Sequence, residues 1–200
     1  MNIVVLGAGA IGSFFGGMLS KKNDVTLIGR NDHIQEINYQ GLQINGKTRL
    51  KRKIAAVEHV HQINQSPELL IITVKSFDTF EAITQAREII GKKTMVLSLQ
   101  NGLSNIDQIK KVIPQKQVIA GITTHGVQFE SPGIIHHKGK GSTVVGELSG
   151  DKTKRIHHLA SMFNEVGIQV SVSNRIEEDI WIKAIVNASI NPLTAIFNCE

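Results

Sequence analysis

The sequence predicts an α/β chain: a doubly wound parallel sheet followed by the start of an all-helical second domain. Three observations carry this. A short β-branched run, Asn2–Leu6, leads straight into glycines at positions 7, 9 and 12. Apolar runs then alternate with segments of helical periodicity, which is the strand–helix grammar of a parallel sheet. Beyond Arg175 the strand pattern stops, and one long apolar helical segment reaches Pro192.

Each element follows from local pattern. Residues 2–6 read as a buried parallel strand and 10–22 as a helix. Residues 3–20 carry no charge, yet glycines at 7, 9, 12, 16 and 17 and a strand-then-turn order argue against a signal peptide or membrane span. Residues 25–28 form a second strand, and Asp32 is placed to cap a helix that Gly41 ends. Residues 42–44 and 48–50, with Asn45-Gly46 between them, give a strong hairpin signal. Residues 69–74 are the most apolar strand, and 76–90 a helix with Phe77, Phe80, Ile83, Ala86 and Ile90 on one face. A strand at 94–99, a helix at 106–112 and a strand at 118–122 follow. Short strands then fall around 127–129, 134–136 and 143–145. A helix at 152–166 and a strand at 168–172 precede a helix capped by Asn174, buried because it is apolar nearly all round. The domain boundary falls near Ser173, leaving 1–173 as the nucleotide-binding domain and 174–200 as the first helix of an incomplete helical domain.

The glycines carry the first chemistry. Gly7-Ala8-Gly9-Ala10-Ile11-Gly12 follows the pattern G-x-G-x-x-G, directly after a strand and opening a helix, the Rossmann-type context for binding a dinucleotide. Gly7 permits the tight turn, Gly9 lets the backbone approach a pyrophosphate, and Gly12 lets helix and strand pack closely. The helix start offers N–H groups and partial positive charge to phosphate. At the end of the second strand an NAD enzyme usually has a carboxylate. Here Arg30 stands there, suited to a 2′-phosphate, so NADPH is the expected cofactor, with Asp32 two residues on weighing the other way.

Ligands of such sheets bind beyond the carboxyl ends of the strands. Lys75, Asn101 and His125 all follow predicted strands, Lys75 as a candidate phosphate or carboxylate contact and His125 as a candidate proton donor. Lys183, Asn187 and Asn191 recur every four residues, so they share one face of the last helix. One lysine and two amides facing a cleft suit a keto acid, with the lysine as general acid. An outer face with an Asp179–Lys183 ion pair explains the same spacing equally well.

The formal net charge of +5 attracts anions in general. Its densest run, Lys47, Arg49, Lys51, Arg52 and Lys53, interleaves with Leu50 and Ile54 and reads as the solvated face of a hairpin rather than a nucleic-acid patch. One Trp and one Tyr leave no stacking platform for nucleic acid. The single cysteine, Cys199, excludes an internal disulfide and suits the cytoplasm. No metal, nucleic-acid or membrane partner is expected.

The chain resembles the ketopantoate reductase (2-dehydropantoate 2-reductase) family. The matching motifs are GAGAIGS from Gly7, VKS around Lys75, LQNG ending at Gly102, GITTHG from Gly121, and WIKAIVNASINPLTAIFNC from Trp181 to Cys199. The resemblance implies NADPH-dependent reduction of ketopantoate in pantothenate and coenzyme A biosynthesis. It makes Lys183 the catalytic proton donor and Asn187 and Asn191 substrate-binding. It places Asn101 between cofactor and substrate, Arg30 and Lys75 on the cofactor phosphates, and Val127 on the cofactor through its backbone. Family members run on through a helical second domain that supplies a further asparagine, serine and glutamate. The chain is therefore expected to be a truncated form that binds cofactor but does not turn over, with a last helix that invites association with a second copy. A reductase of another 2-keto acid, a non-catalytic dinucleotide-sensing module, and a dehydrogenase of glycerol-3-phosphate type remain as alternatives.

Overall fold

The computed structural model describes residues 1–197. In chain order the elements are β1 (Asn2–Leu6), α1 (Ala10–Leu19), β2 (Asp24–Ile28), α2 (Asn31–Gln40), β3 (Leu42–Gly46), β4 (Leu50–Arg52), β5 (Ala55–Val57), β6 (Leu69–Ile72) and α3 (Thr79–Ala86). They continue as β7 (Met95–Ser98), α4 (Asn105–Lys110), β8 (Val118–Thr123), β9 (Gly126–Ser131), β10 (Ile134–Gly139), β11 (Thr143–Glu147), α5 (Lys154–Glu165), β12 (Val170–Val172) and α6 (Ile176–Phe197). The main sheet has eight strands in the order β12-β11-β8-β7-β6-β1-β2-β5. β1 pairs in parallel with β2 on one side and β6 on the other. The chain reverses its winding there, creating the crevice in which α/β sheets bind ligands. Only β11 runs against its neighbour β8.

Burial explains the central strands. Ile3 and Val5 of β1 join the core on one face of the sheet, and Val4 and Leu6 join the core on the other. A strand buried on both faces has no reason to alternate, hence the unbroken apolar runs of β1 and β6. α1 and α5 cover the first face, and α3 and α4 the second. Phe14, Phe15, Met18 and Leu19 of α1 are almost wholly buried, at about 2 kcal/mol of transfer free energy each as an upper estimate. The uncharged stretch after Asn2 is thus a core strand and a core helix.

The structure differs from the local pattern in several places. A second sheet, β4-β3-β10-β9, lies over α1 and arises from parallel pairing of β3 with the distant β10. That pairing draws Asn45 and Gly46 into β3, opposite His136 and His137, so the chain does not turn at Asn45-Gly46 and Ile44 faces Leu50 across residues 45–49. A 3-10 turn at Ser76–Asp78 rotates the start of the next helix, leaving Phe77 83% and Phe80 50% exposed while Thr79, Ile83 and Ala86 face inward. Arg30 takes the cap position of α2, with Asp32 in its first turn, where its charge still complements the helix dipole. α6 runs through Pro192. It is exposed rather than buried, with Trp181, Ile182, Ile185 and Ile190 each more than half accessible. Its main packing on the sheet is against β8 and β11, and much of its outer surface is uncovered among the described residues. Among the described residues it is the helix whose length and hydropathy would suffice to cross a bilayer.

The basic run now has a structural account. β4 is an edge strand, and exposed Lys47, Arg49, Lys51 and Lys53 discourage pairing with a further chain. Arg52 points the other way and donates to the Ser20 carbonyl at 2.7 Å.

Candidate active site

The glycine turn is built by its neighbours. Gly7 sits at φ +107°, open to glycine but strained for L side chains, and its N–H and that of Ala8 both donate to the Ile28 carbonyl at the end of β2. A side chain at Gly12 has no room, because a Cβ there would lie 2.2 Å from the Gly7 carbonyl oxygen. A Cβ at Gly9 would meet nothing within 4 Å and would enter open space above the start of α1. The N–H groups of Ala10, Ile11 and Gly12, in the first turn, have no acceptor four residues back within the helix. An open space bordered by such donors is a cradle fitted to a pyrophosphate. Arg30 is exposed at the end of β2 and makes no ion pair among the described residues. Lys75 is likewise exposed after β6.

At the ends of β7 and β8 a cavity of about 580 Å³ opens against α6. Asn101, Thr123, Thr124, His125, Asp179, Lys183 and Asn187 supply its polar wall, and Ile122, Ile182 and Val186 its apolar wall. The i, i+4 spacing therefore does bring Lys183 and Asn187 to a cleft. Asn191 continues the spacing, but its side chain lies outside the described residues, as does Cys199. Lys183 Nζ donates to Asn101 Oδ1 at 2.7 Å. Asp179 instead accepts from Ser173 Oγ at 2.5 Å, so the alternative Asp179–Lys183 pair is not formed. Burial lowers the pKa of the Lys183 ammonium from its ordinary value.

Asn101 is held in place by a polar network that local pattern does not reveal. Its carbonyl accepts from Asn105 Nδ2 at 2.8 Å and Ser76 Oγ at 3.2 Å. Buried Gln100 donates to the Val74 carbonyl and to Thr79 Oγ1, which in turn donates to Asn105. The loops after β6 and β7 are thereby locked together. Val127, on edge strand β9, packs its half-buried side chain on the core and is not in the cavity wall.

His125 reaches the cavity but is poorly arranged for proton transfer. Its Nδ1 accepts the Gly141 N–H at 3.2 Å, which puts the proton of the neutral ring on Nε2. Nε2 is buried with no hydrogen-bond partner among the described residues, and the ring packs on Phe14 with centroids 4.8 Å apart. His137 Nε2 lies 3.2 Å from the same Nδ1, and Thr48 Oγ1 is 2.9 Å from His137 Nδ1. A third buried histidine, His33, accepts the Gly133 N–H on Nδ1 at 2.9 Å. Its Nε2 therefore donates to Ser13 Oγ, which reaches back to the Ala8 carbonyl of the glycine turn. Nothing in the sequence around His33 signals that link.

Strand order, glycine cradle and strand-end cavity define a Rossmann-type dinucleotide-binding chain. The family model for ketopantoate reductase PanE/ApbA matches residues 3–150, and the chain belongs to that family. A 2-dehydropantoate 2-reductase of Pyrococcus abyssi is 44% identical over 194 residues, covering 96% of this chain and 63% of the relative. A ketopantoate reductase of Ralstonia eutropha JMP134 superposes with a TM-score of 0.90 at 31% identity, over 99% of this chain and 65% of that one. A D-mandelate dehydrogenase solved with NADH and anilino(oxo)acetate gives 0.91 at 32%, over 99% and 65%. The chain thus spans a little under two thirds of the length of these proteins.

Proposed function

We propose that this chain is the cofactor-binding part, with one wall of the substrate site, of an NADPH-dependent 2-dehydropantoate 2-reductase. The reaction reduces ketopantoate to pantoate in the cytoplasmic biosynthesis of pantothenate and coenzyme A. The observation that carries the reading is the Lys183–Asn101 contact in the cavity at the ends of β7 and β8.

The N–H groups of the turn from Gly7 to Gly12 hold the pyrophosphate, Arg30 and Lys75 the other phosphates, and Val127 contributes backbone. NADPH, when bound, supplies the hydride. Asn101 orients the Lys183 ammonium by accepting one of its protons. Lys183 then delivers a proton to the substrate carbonyl oxygen as negative charge develops there. Its lowered pKa brings proton donation closer to neutral pH. Asn187, with Asn191 one turn on, binds the polar groups of the keto acid. On this reading residues 1–173 form the nucleotide domain and α6 opens the substrate domain. The substrate is a small molecule, and neither nucleic acid nor membrane is a partner.

Similarity to D-mandelate dehydrogenase supports one second reading, reduction of a different 2-keto acid. Initial rates of NADPH oxidation with ketopantoate and with phenylglyoxylate separate the two. They are measured for this chain and for a chimera extended by the remainder of the Pyrococcus abyssi relative. Preference for ketopantoate upholds the first reading, and preference for the aromatic acid replaces it.

A further inference from the structure

The end of β2 carries a feature that glycine and arginine motifs alone do not reveal. β5 lies against β2 in parallel register, with Ile28 opposite Val57, and Gly29 N–H donates to the Val57 carbonyl at 3.2 Å. The next residue of β5's chain, Glu58, is therefore delivered beside Arg30 and Asn31. Asn31 Nδ2 donates to Glu58 Oε1 at 2.7 Å and tethers the carboxylate beyond the carboxyl end of β2. Arg30 and Glu58 make no ion pair with each other, so neither charge neutralises the other by contact.

In dinucleotide-binding sheets this corner reads the adenosine ribose. A carboxylate there accepts the 2′-hydroxyl of NADH and repels the 2′-phosphate of NADPH, whereas an arginine does the reverse. This chain has both, the arginine on β2 and the carboxylate brought across from the neighbouring strand. We infer that Glu58, tethered by Asn31, is a specificity-determining residue that opposes Arg30 and weakens the binding of a 2′-phosphorylated dinucleotide. The inference rests on the dinucleotide reading above and adds a residue to it.

The mechanism is through-space repulsion, so its size is set by charge and separation. A carboxylate facing a phosphate of about −1.5 to −2 charges across roughly one Debye length changes affinity by about threefold. Glu58→Gln keeps an oxygen for Asn31 and removes only the charge. Asp32→Asn, in the first turn of α2, is the control for a nearby carboxylate that lacks this tether.

The test is titration of the chain with NADPH and with NADH separately, following nicotinamide fluorescence, at low salt and at about 1 M salt, where the Debye length is roughly 3 Å. Glu58→Gln is expected to tighten NADPH about threefold and leave NADH unchanged, and the gain is expected to disappear at high salt. An unchanged NADPH affinity overturns the role of Glu58, as does a gain that persists at high salt or is matched by Asp32→Asn. A loss of NADH affinity with NADPH unchanged also overturns repulsion, since Glu58 would then be a hydroxyl acceptor. Binding of neither cofactor by the unsubstituted chain sinks the dinucleotide reading itself, a result distinct from all of these.

Discussion

Alanine at Gly12 and alanine at Gly9 are expected to fail in different ways. A Cβ at Gly12 would sit 2.2 Å from the Gly7 carbonyl oxygen and 2.5 Å from Thr73 Oγ1, where ordinary contact begins at 3.4 Å. Both atoms must retreat, and they belong to one hydrogen bond, Thr73 Oγ1 to Gly7 O at 2.8 Å. Overpacking of this kind costs about 1–3 kcal/mol and the lost bond about 1 more. The better helix propensity of alanine returns up to about 1 kcal/mol. The net loss is roughly 1–3 kcal/mol, or about 2–12 °C in Tm for a chain of this size. At Gly9 a Cβ meets nothing within 4 Å, so stability stays within about 0.5 kcal/mol. That empty volume is the space assigned to the pyrophosphate, so Gly9→Ala is expected to weaken NADPH at least about tenfold, roughly 1.4 kcal/mol. Thermal denaturation by circular dichroism and a fluorescence titration with NADPH separate the two. Gly9→Ala binding NADPH as tightly as the parent chain would refute the cradle, and an unchanged Tm for Gly12→Ala would refute the packing argument.

Further predictions concern charge. Burial, the largest effect, holds His33, His125 and His137 below the ordinary imidazole value of 6.5, so the unfolded chain binds more protons than the native one just below that pH. Their contribution to stability is complete above about 6.5 and is lost as pH falls through the lowered native values; His33→Gln, measured by chemical denaturation at pH 7.5 and 5, should reduce that dependence. Burial alone would raise the Glu147 carboxyl, but hydrogen bonds from Arg155 and Thr153 bring it below its ordinary value. Arg155→Ala strands that carboxylate and should cost about 2–3 kcal/mol in a denaturant titration, toward the low end of the buried-pair range because Arg155 is one-third exposed. In the chimera with the Pyrococcus abyssi remainder, the alkaline limb of kcat/KM is expected below the ordinary lysine value, and Lys183→Ala should abolish that limb. A limb that survives the substitution would assign the proton to another group.

The legible parts of the molecule are those whose cause is local. β1, the glycine turn and α1 follow from an uncharged run with glycines at fixed offsets, and Lys183 and Asn187 follow from helical spacing. The hidden parts depend on pairings between distant segments. β3 finds β10 some ninety positions away, which moves the expected Asn45-Gly46 turn, and no window around either strand contains the other. The tie from Gly133 through His33 and Ser13 to the glycine turn has the same character. So does Glu58, which reaches the ribose corner only because β5 pairs with β2. α6 departs from its pattern for a different reason: an apolar helix is buried only where enough neighbours exist to bury it, and here β8 and β11 provide the main packing on one side.

On the proposed function, Lys183 delivers the proton in an NADPH-dependent reduction of ketopantoate. Single-turnover absorbance of NADPH on mixing with ketopantoate tests this role, in the extended chimera and its Lys183→Ala variant, with cofactor affinity measured alongside. A rapid decay is expected, slowed by the substitution by about a hundredfold or more while NADPH affinity is retained. A decay of equal rate in both proteins would contradict it.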